Sequence, residues 1–164
     1  MLRMSLFIDT IFCMIELKSV ESKDMDLIYE WANDPLTRKM SFSSDPIPYE
    51  DHIKWFGKKL SDKDCHFYIL YVDDIPVGTV RLDRKTGNEY AVSYSVGKEY
   101  RGKGYGSLII SLCVDKAMID IPDCTLISAQ VKEDNTSSAK CFMKASFACK
   151  KSPEGALIFT RKIK

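Results

Sequence analysis

Three glycines within five residues, in the stretch Tyr100-Arg101-Gly102-Lys103-Gly104-Tyr105-Gly106, separate a strand-like run from a long apolar segment. Ahead of them, Ala91-Val92-Ser93-Tyr94-Ser95-Val96 alternates small or polar residues with larger apolar ones, the pattern of a half-exposed strand. Behind them, Leu108, Ile109, Leu112, Cys113 and Ile119 recur at helical spacing until Pro122 ends the pattern. A strand that turns into a helix through glycines presents unpaired N–H groups at the positive end of the helix dipole, and glycine lets that backbone approach phosphate oxygens closely. Arg101 and Lys103 add positive charge beside it. A glycine turn without a ligand has the same local signature, so the surrounding sequence decides between the two.

Two common phosphate loops are excluded. The Walker pattern requires Gly-Lys followed by Ser or Thr, which occurs nowhere in the chain. The dinucleotide pattern Gly-x-Gly-x-x-Gly fails because Gly102, Gly104 and Gly106 run on into Ser107 and Leu108.

Charge narrows the partners further. With 24 Lys and Arg against 23 Asp and Glu the formal charge is +1, so no long-range field draws the chain to nucleic acid or an anionic membrane, and any phosphate binding is local. A length of 164 residues suits one domain with a real core. The cysteines at 13, 65, 113, 124, 141 and 149 form no Cys-x-x-Cys pair and no His cluster accompanies them, so neither a metal site nor a disulfide framework is expected. Cys113 and Cys141 fall on apolar helix faces and read as core residues in a reducing cytosol, which predicts a cytoplasmic protein. No run approaches the ~20 apolar residues of a membrane span. Residues 1–13 are apolar but broken by Arg3, Asp9 and Thr10 and lack a small-residue cleavage site; they read as an N-terminal appendage, with Met14 a candidate natural start and 14–164 the domain.

In chain order, Met14–Val20 alternates as a first strand, and Ser22 is the expected N-cap of a helix through Leu27, Ile28 and Trp31 that Asn33-Asp34-Pro35 ends. A second helix follows Pro48, with Ile53, Phe56 and Leu60 expected on its core face and His52 either a solvated residue or part of a pocket. Residues 65–72, 77–83 and 90–96 form a meander through turns at 73–76 and 85–88. Arg81 shares a face with Thr79 and Asp83, placing it in an edge salt bridge or against an anionic substrate. Residues 125–131 form another strand, Glu133-Asp134-Asn135-Thr136 opens a helix carrying Ala139, Phe142 and Met143, and 147–150 and 156–163 form a last strand pair. The sum is an α/β (α+β) fold, a mixed and mostly antiparallel sheet of six or seven strands with four helices.

The loop resembles the acyl-CoA pyrophosphate loop of the GNAT N-acetyltransferase superfamily, Arg/Gln-x-x-Gly-x-Gly/Ala, and Asn135-x-x-Ser138-x-x-x-Phe142-x-Lys144-x-x-Phe147 resembles that superfamily's second signature. Phe142 stands where many members carry a Tyr that protonates the departing thiolate, Ser146 where Gly is usual, and Gln130 where some carry a Glu base. The segments 31–38, 48–56 and 77–83 are similar to GNAT enzymes that acetylate UDP-4-amino-sugars for bacterial surface glycans; ribosomal-protein acetyltransferases share parts of them. The resemblance implies acetyl-CoA as co-substrate and no metal. Its pyrophosphate would lie on Arg101, Gly102, Lys103, Gly104, Tyr105 and Gly106, its pantetheine along Tyr94, Ser95 and Val96, with Asn135, Ser138 and Phe142 beside it. It also implies Ser93, Thr79 or Gln130 to orient the amine or a water, with His66 in reserve, and Arg38, His52, Trp55 and Arg81 around a UDP-sugar acceptor. Tyr94, Tyr105 or solvent would supply the thiolate's proton. A peptide N-terminal acetyltransferase and a non-catalytic acyl-CoA-binding module are the alternatives, and a homodimer is compatible with any of them.

Overall fold

The computed structural model describes residues 13–163, so the expected appendage lies, apart from Cys13, outside the described residues. Among these residues one sheet holds seven strands: β1 Ile15–Ser19, β2 Cys65–Val72, β3 Ile75–Thr86, β4 Glu89–Val96, β5 Leu126–Val131, β6 Ala148–Lys151 and β7 Leu157–Lys162. Their order is β1-β2-β3-β4-β5-β7-β6. Among the described residues only the β4–β5 pair is parallel, and the helix over residues 105–120 carries the chain from the end of β4 back to the start of β5. The tight turn between β2 and β3 rests on Asp73 and Asp74, both with positive φ (49° and 64°), the twist that suits a two-residue hairpin.

Among the described residues five α-helices form rather than four: α1 Met25–Asn33, α2 Pro35–Met40, α3 Tyr49–Ser61, α4 Tyr105–Asp120 and α5 Thr136–Lys144. The additional one is α2. Asp34 ends α1 in an extended conformation, but its Oδ2 accepts the N–H groups of Leu36 and Thr37 (both 3.1 Å). Pro35 takes the first helical position, where a missing N–H costs nothing. The expected Ser22 cap is also revised: Ser22–Asp24 is a 3₁₀ turn capped by Glu21, and α1 starts after it.

Strand alternation divides the core in two. On one face Val80, Leu82, Tyr90, Val92, Ile127 and Phe159 pack under α4 and α5. On the other, Phe67 and Ile69 meet Ile28, Trp31 and Phe56 of α1 and α3. Helix α3 is rotated from its expected phase: Phe56 is buried, Leu60 is 37 % exposed, and His52 is 1 % exposed.

Ser146 holds φ +62° at the end of α5, where its N–H and that of Phe147 bond the carbonyls of Met143 and Phe142. An L side chain pays ~1–2 kcal/mol for that conformation and glycine does not. Part of this is offset by glycine's freer unfolded chain. Ser146→Gly should therefore stabilise by about 1 kcal/mol, raising the melting temperature by ~2–4 °C; a thermal melt at or below the parent's would refute it.

Candidate active site

Strands β4 and β5 pair only over Glu89–Ala91 and Leu126–Ser128, then part, although β4 continues to Val96 and β5 to Val131. The alternation of an antiparallel ladder says what the gap contains. Gly97 N–H bonds the Val77 carbonyl (2.9 Å), so Ser93 and Ser95 face β3, and Val92, Tyr94 and Val96 turn their backbone groups toward β5. The Val96 carbonyl accepts from Arg101 Nε (3.2 Å); its N–H points into the wedge.

The glycine loop stands at the wide end of this wedge. Gly102 and Gly104 have φ of +73° and +84°, and a Cβ on either would meet no atom within 4 Å. The first backbone bond into α4 is from Leu108 N–H to the Gly104 carbonyl (3.2 Å), so the amides of Tyr105, Gly106 and Ser107 are the donors of a helix start. Gly106 is needed for another reason: a Cβ there would lie 3.0 Å from Cys141 Sγ and 3.3 Å from the Tyr94 ring, which sets how closely α5 approaches α4. A cleft of about 660 Å³ runs on between the two helices, lined by Ser107, Thr136, Ser137, Lys140, Cys141 and Met143 among others. An exposed cradle of amides leading into a strand gap and a cleft fits a phosphate-bearing, extended acyl carrier.

Several side chains serve other ends than expected. Arg101 does not aim its bonded nitrogens at the cradle; Nη2 is 2.6 Å from Asp34 Oδ2 and 3.1 Å from Thr37 Oγ1, which braces the loop against α2. Burial alone would raise the Asp34 carboxyl, but Arg101 and the α2 amides outweigh it and hold it below its ordinary value. Lys103 is exposed and lies over the Tyr100 ring. Arg38 is spent on the chain itself, donating to the carbonyls of Ala32 (2.7 Å), Ser43 (3.2 Å) and Asp45 (3.4 Å) and to Ser41 Oγ (3.0 Å). Asn135 caps α5 through Ser138 N–H (3.2 Å). Phe142 is buried, stacked on Phe159 and edge-on to Tyr94. Tyr94 donates to Ser138 Oγ (3.1 Å), and burial pushes its phenol well above the usual range.

The sheet face opposite α4 and α5 gathers most of the remaining candidates. Ser93 on β4 and Gln130 on β5 are exposed there on either side of the wedge. Arg81 stands opposite Ser93 in the β3–β4 register. Its Nε bonds Asp83 Oδ2 (2.6 Å), and its guanidinium lies 4.9 Å from the Trp55 ring centroid and 5.6 Å from that of Phe67. Lys59 Nζ takes the other Asp83 oxygen (2.6 Å). Burial raises and the Arg81 and Lys59 charges lower the Asp83 acid, with the net effect downward. Thr79 shares this face but is buried, its hydroxyl donated to the Tyr68 carbonyl (3.0 Å). His52 is neither solvated nor open to a pocket: Nε2 is 3.0 Å from the Met25 carbonyl and the ring packs on Tyr29, Trp55 and Phe56. His66 falls on the opposite face beside Tyr90, where burial depresses its pKa. Two further polar residues of this face lie in the paired stretch of β4 and β5: Glu89 at its first pairing and the buried Ser128 at its last, joined Oε1 to Oγ at 2.6 Å.

The chain belongs to the GNAT acetyltransferase family, whose domain model, described as "Acetyltransferase (GNAT) domain", matches residues 15–148. With the family match, the parallel strand pair that opens beside a glycine loop at a helix start is the site of an acetyl-CoA-dependent N-acetyltransferase. No curated protein sequence matches it. Among solved structures it is similar to a domain from Methanocaldococcus jannaschii (TM-score 0.78, 20 % identity, 92 % of this chain and 99 % of that one). It is also similar to spermidine N-acetyltransferase from Vibrio cholerae in complex with CoA and spermine (0.80, 15 %, 90 % and 95 %). A third is the aminoglycoside acetyltransferase AAC(6')-Ib with coenzyme A and kanamycin (0.75, 17 %, 91 % and 95 %). At these identities the likeness is one of fold. Among the described residues no helix is long and apolar enough to cross a membrane, and no group of three His, Cys, Asp or Glu is placed to hold a metal ion.

Proposed function

We propose that the chain transfers the acetyl group of acetyl-CoA to the 4-amino group of a UDP-linked amino-deoxy sugar in the cytoplasm. The observation that carries this is the Arg81 guanidinium. Asp83 engages its Nε and the Trp55 and Phe67 rings hold its plane, while among the described residues its two terminal nitrogens have no hydrogen-bond partner. A fixed, half-buried guanidinium with free donors next to the acyl-transfer gap suits a diphosphate. The segments around residues 31–38, 48–56 and 77–83, which are similar to the UDP-amino-sugar enzymes, point the same way.

Acetyl-CoA supplies the acetyl group already activated as a thioester. The amides of residues 101–106 hold its pyrophosphate, and the backbone edge of Tyr94–Val96 holds its pantetheine. The N–H groups of Tyr94 and Val96, turned into the wedge, stabilise negative charge on the carbonyl oxygen; losing such a donor costs ~3 kcal/mol. Ser93 and Gln130 orient the amine, and with Phe142 unable to donate a proton, the leaving sulfur takes its proton from solvent.

CoA release, followed with a thiol reagent, tests the acceptor: UDP-4-amino-4,6-dideoxy-N-acetylhexosamine against spermine, kanamycin and amino-terminal peptides. Turnover of the nucleotide sugar is expected, and turnover of only another amine would overturn the reading. Arg81→Ala should raise the KM for the nucleotide sugar about tenfold or more while kcat stays within threefold, the mark of lost ground-state binding. An unchanged KM would remove Arg81 from the site.

A further inference from the structure

Helix α2 has six residues, too few for a helix to persist alone in water, and none of them is buried. Packing therefore does not hold it; side chains at its two ends do. At its start, Arg101 Nη2 donates to Asp34 Oδ2 (2.6 Å) and to Thr37 Oγ1 (3.1 Å). The Asp34 side chain is only 13 % exposed, which sets this ion pair apart from solvated surface pairs. At its end, the Lys39 carbonyl accepts from Lys132 Nζ (2.9 Å). The two anchors follow different strands. Arg101 lies in the loop after β4 and bonds back to the Val96 carbonyl (3.2 Å), whereas Lys132 is the residue after β5. These are the strands that part to form the wedge, so α2, about 9 Å long, is strapped across its wide end. One anchor of the strap is a residue of the glycine loop itself.

We propose that α2 couples the two substrate sites, with Arg101 and Asp34 as positioning residues: acetyl-CoA seated on the glycine loop locks α2 across the wedge, and the locked strap completes the acceptor side. The link is conformational entropy. Gly102 and Gly104 give the loop backbone many conformations to lose. Phosphates held on the amides of residues 101–106 fix the Arg101 backbone, and a guanidinium on a fixed backbone holds Asp34 with less ordering left to do. A helix without buried residues has little other stability, so this one contact decides how firmly it is held. By reciprocity, whatever acetyl-CoA adds to the strap and the acceptor site, the acceptor returns to acetyl-CoA. A coupling of about tenfold is expected, toward the low end of the usual range because a single side chain carries it. It rests on the reading of the glycine loop as the acetyl-CoA site, not on which amine is the acceptor.

Hydrogen exchange reads the strap with no acceptor present. The amides to follow are those of Arg38 and Ser41, which bond the carbonyls of Asp34 and Thr37. Saturating acetyl-CoA should slow their exchange about tenfold in the parent. In Arg101→Met, whose backbone amide remains in the cradle, they should exchange faster, and acetyl-CoA should still bind by calorimetry but no longer slow them. Asp34→Asn should behave alike; asparagine caps a helix as well as aspartate does, so this variant keeps α2 and loses only the ion pair, and it decides the matter should Arg101→Met fail to fold or to bind. Parent amides that exchange equally with and without acetyl-CoA, or slowing that survives in Asp34→Asn, would overturn the coupling and leave the proposed acceptor untouched. Initial rates with the best of the amines named above read the same coupling from the other side: acetyl-CoA should tighten acceptor binding about tenfold in the parent and leave it unchanged in Asp34→Asn. A merely structural brace would give the same factor in both proteins, which would also overturn the coupling. Turnover of only another amine would overturn the nucleotide-sugar reading and leave the coupling standing. A folded parent that does not bind acetyl-CoA would overturn both.

Discussion

Gly78→Ala is expected to lower the melting temperature by ~5–10 °C, corresponding to about 2–3 kcal/mol, and to weaken acetyl-CoA binding about tenfold. Gly78 is buried on β3 opposite Val96. A Cβ there would lie 2.6 Å from the Ser95 carbonyl oxygen, 2.7 Å from Ile109 Cδ1 and 3.2 Å from Val96 Cα. Two of those neighbours are backbone. Ile109 is fully buried in the α4 core and has no empty volume to turn into. The new methyl therefore pushes β4 outward at Ser95 and Val96, the segment whose free amides border the wedge, which couples the stability loss to the ligand. Gly57→Ala is the control: nothing lies within 4 Å of its Cβ on the exposed side of α3, so alanine's better helix propensity should stabilise by ~0.5–1 kcal/mol. Thermal melts and calorimetric titration with acetyl-CoA check both variants. A Gly78→Ala protein that melts with its parent would mean that β3 and β4 are not packed as closely as described.

How legible such features are depends on whether their cause is local. The loop and its flanking elements can be read in the sequence because strand period, glycine and helix period succeed one another within thirty residues. Helix α2 is hidden for a local reason too: Asn33-Asp34-Pro35 is a stop signal for α1 and, through the Asp34 carboxylate and Pro35 ring, a start signal for α2. The phase of α3 is different. Its own spacing favours Ile53, Phe56 and Leu60 as the buried stripe, but Tyr29 and the Met25 carbonyl from α1 give His52 an aromatic neighbour and a hydrogen bond, and the helix turns to bury it.

Side-chain roles are the least legible part. Arg38 and Arg101 read as ligand-facing cations, yet what they meet are carbonyls of a loop and the cap of a helix absent from the sequence reading. Arginine's five donors make it as useful for tying irregular backbone together as for binding anions, and only the surrounding acceptors decide which. Arg81 escapes that fate because what it meets is one carboxylate on its own strand, Asp83, and the rings of Trp55 on α3 and Phe67 on β2, none of which consumes its terminal nitrogens. Glu89 and Ser128 lie 39 residues apart, and their meeting follows from the parallel β4–β5 register, which no pattern in either segment encodes.

Gly104→Val should weaken acetyl-CoA binding by at least about 30-fold while lowering the melting temperature of the free protein far less than Gly78→Ala does. Gly104 is the residue before α4, with φ +84° and ψ 0°, a conformation that costs an L side chain ~1–2 kcal/mol and a β-branched one more. Its carbonyl starts the α4 hydrogen bonds through Leu108, so relaxing that φ reorients the amides of Tyr105 and Gly106 that form the proposed pyrophosphate cradle. The added side chain itself meets nothing within 4 Å in the protein. It projects instead into the open space over the loop, where the phosphates need close approach to the backbone. Stability and binding are thus separated: the exposed position limits the first effect, and both geometry and bulk act on the second. Isothermal titration with acetyl-CoA and a melt without ligand measure the two effects. An affinity within threefold of the parent would move the pyrophosphate off this loop, and a melt as low as that of Gly78→Ala would mean that the loop conformation supports the whole α4 core rather than the ligand.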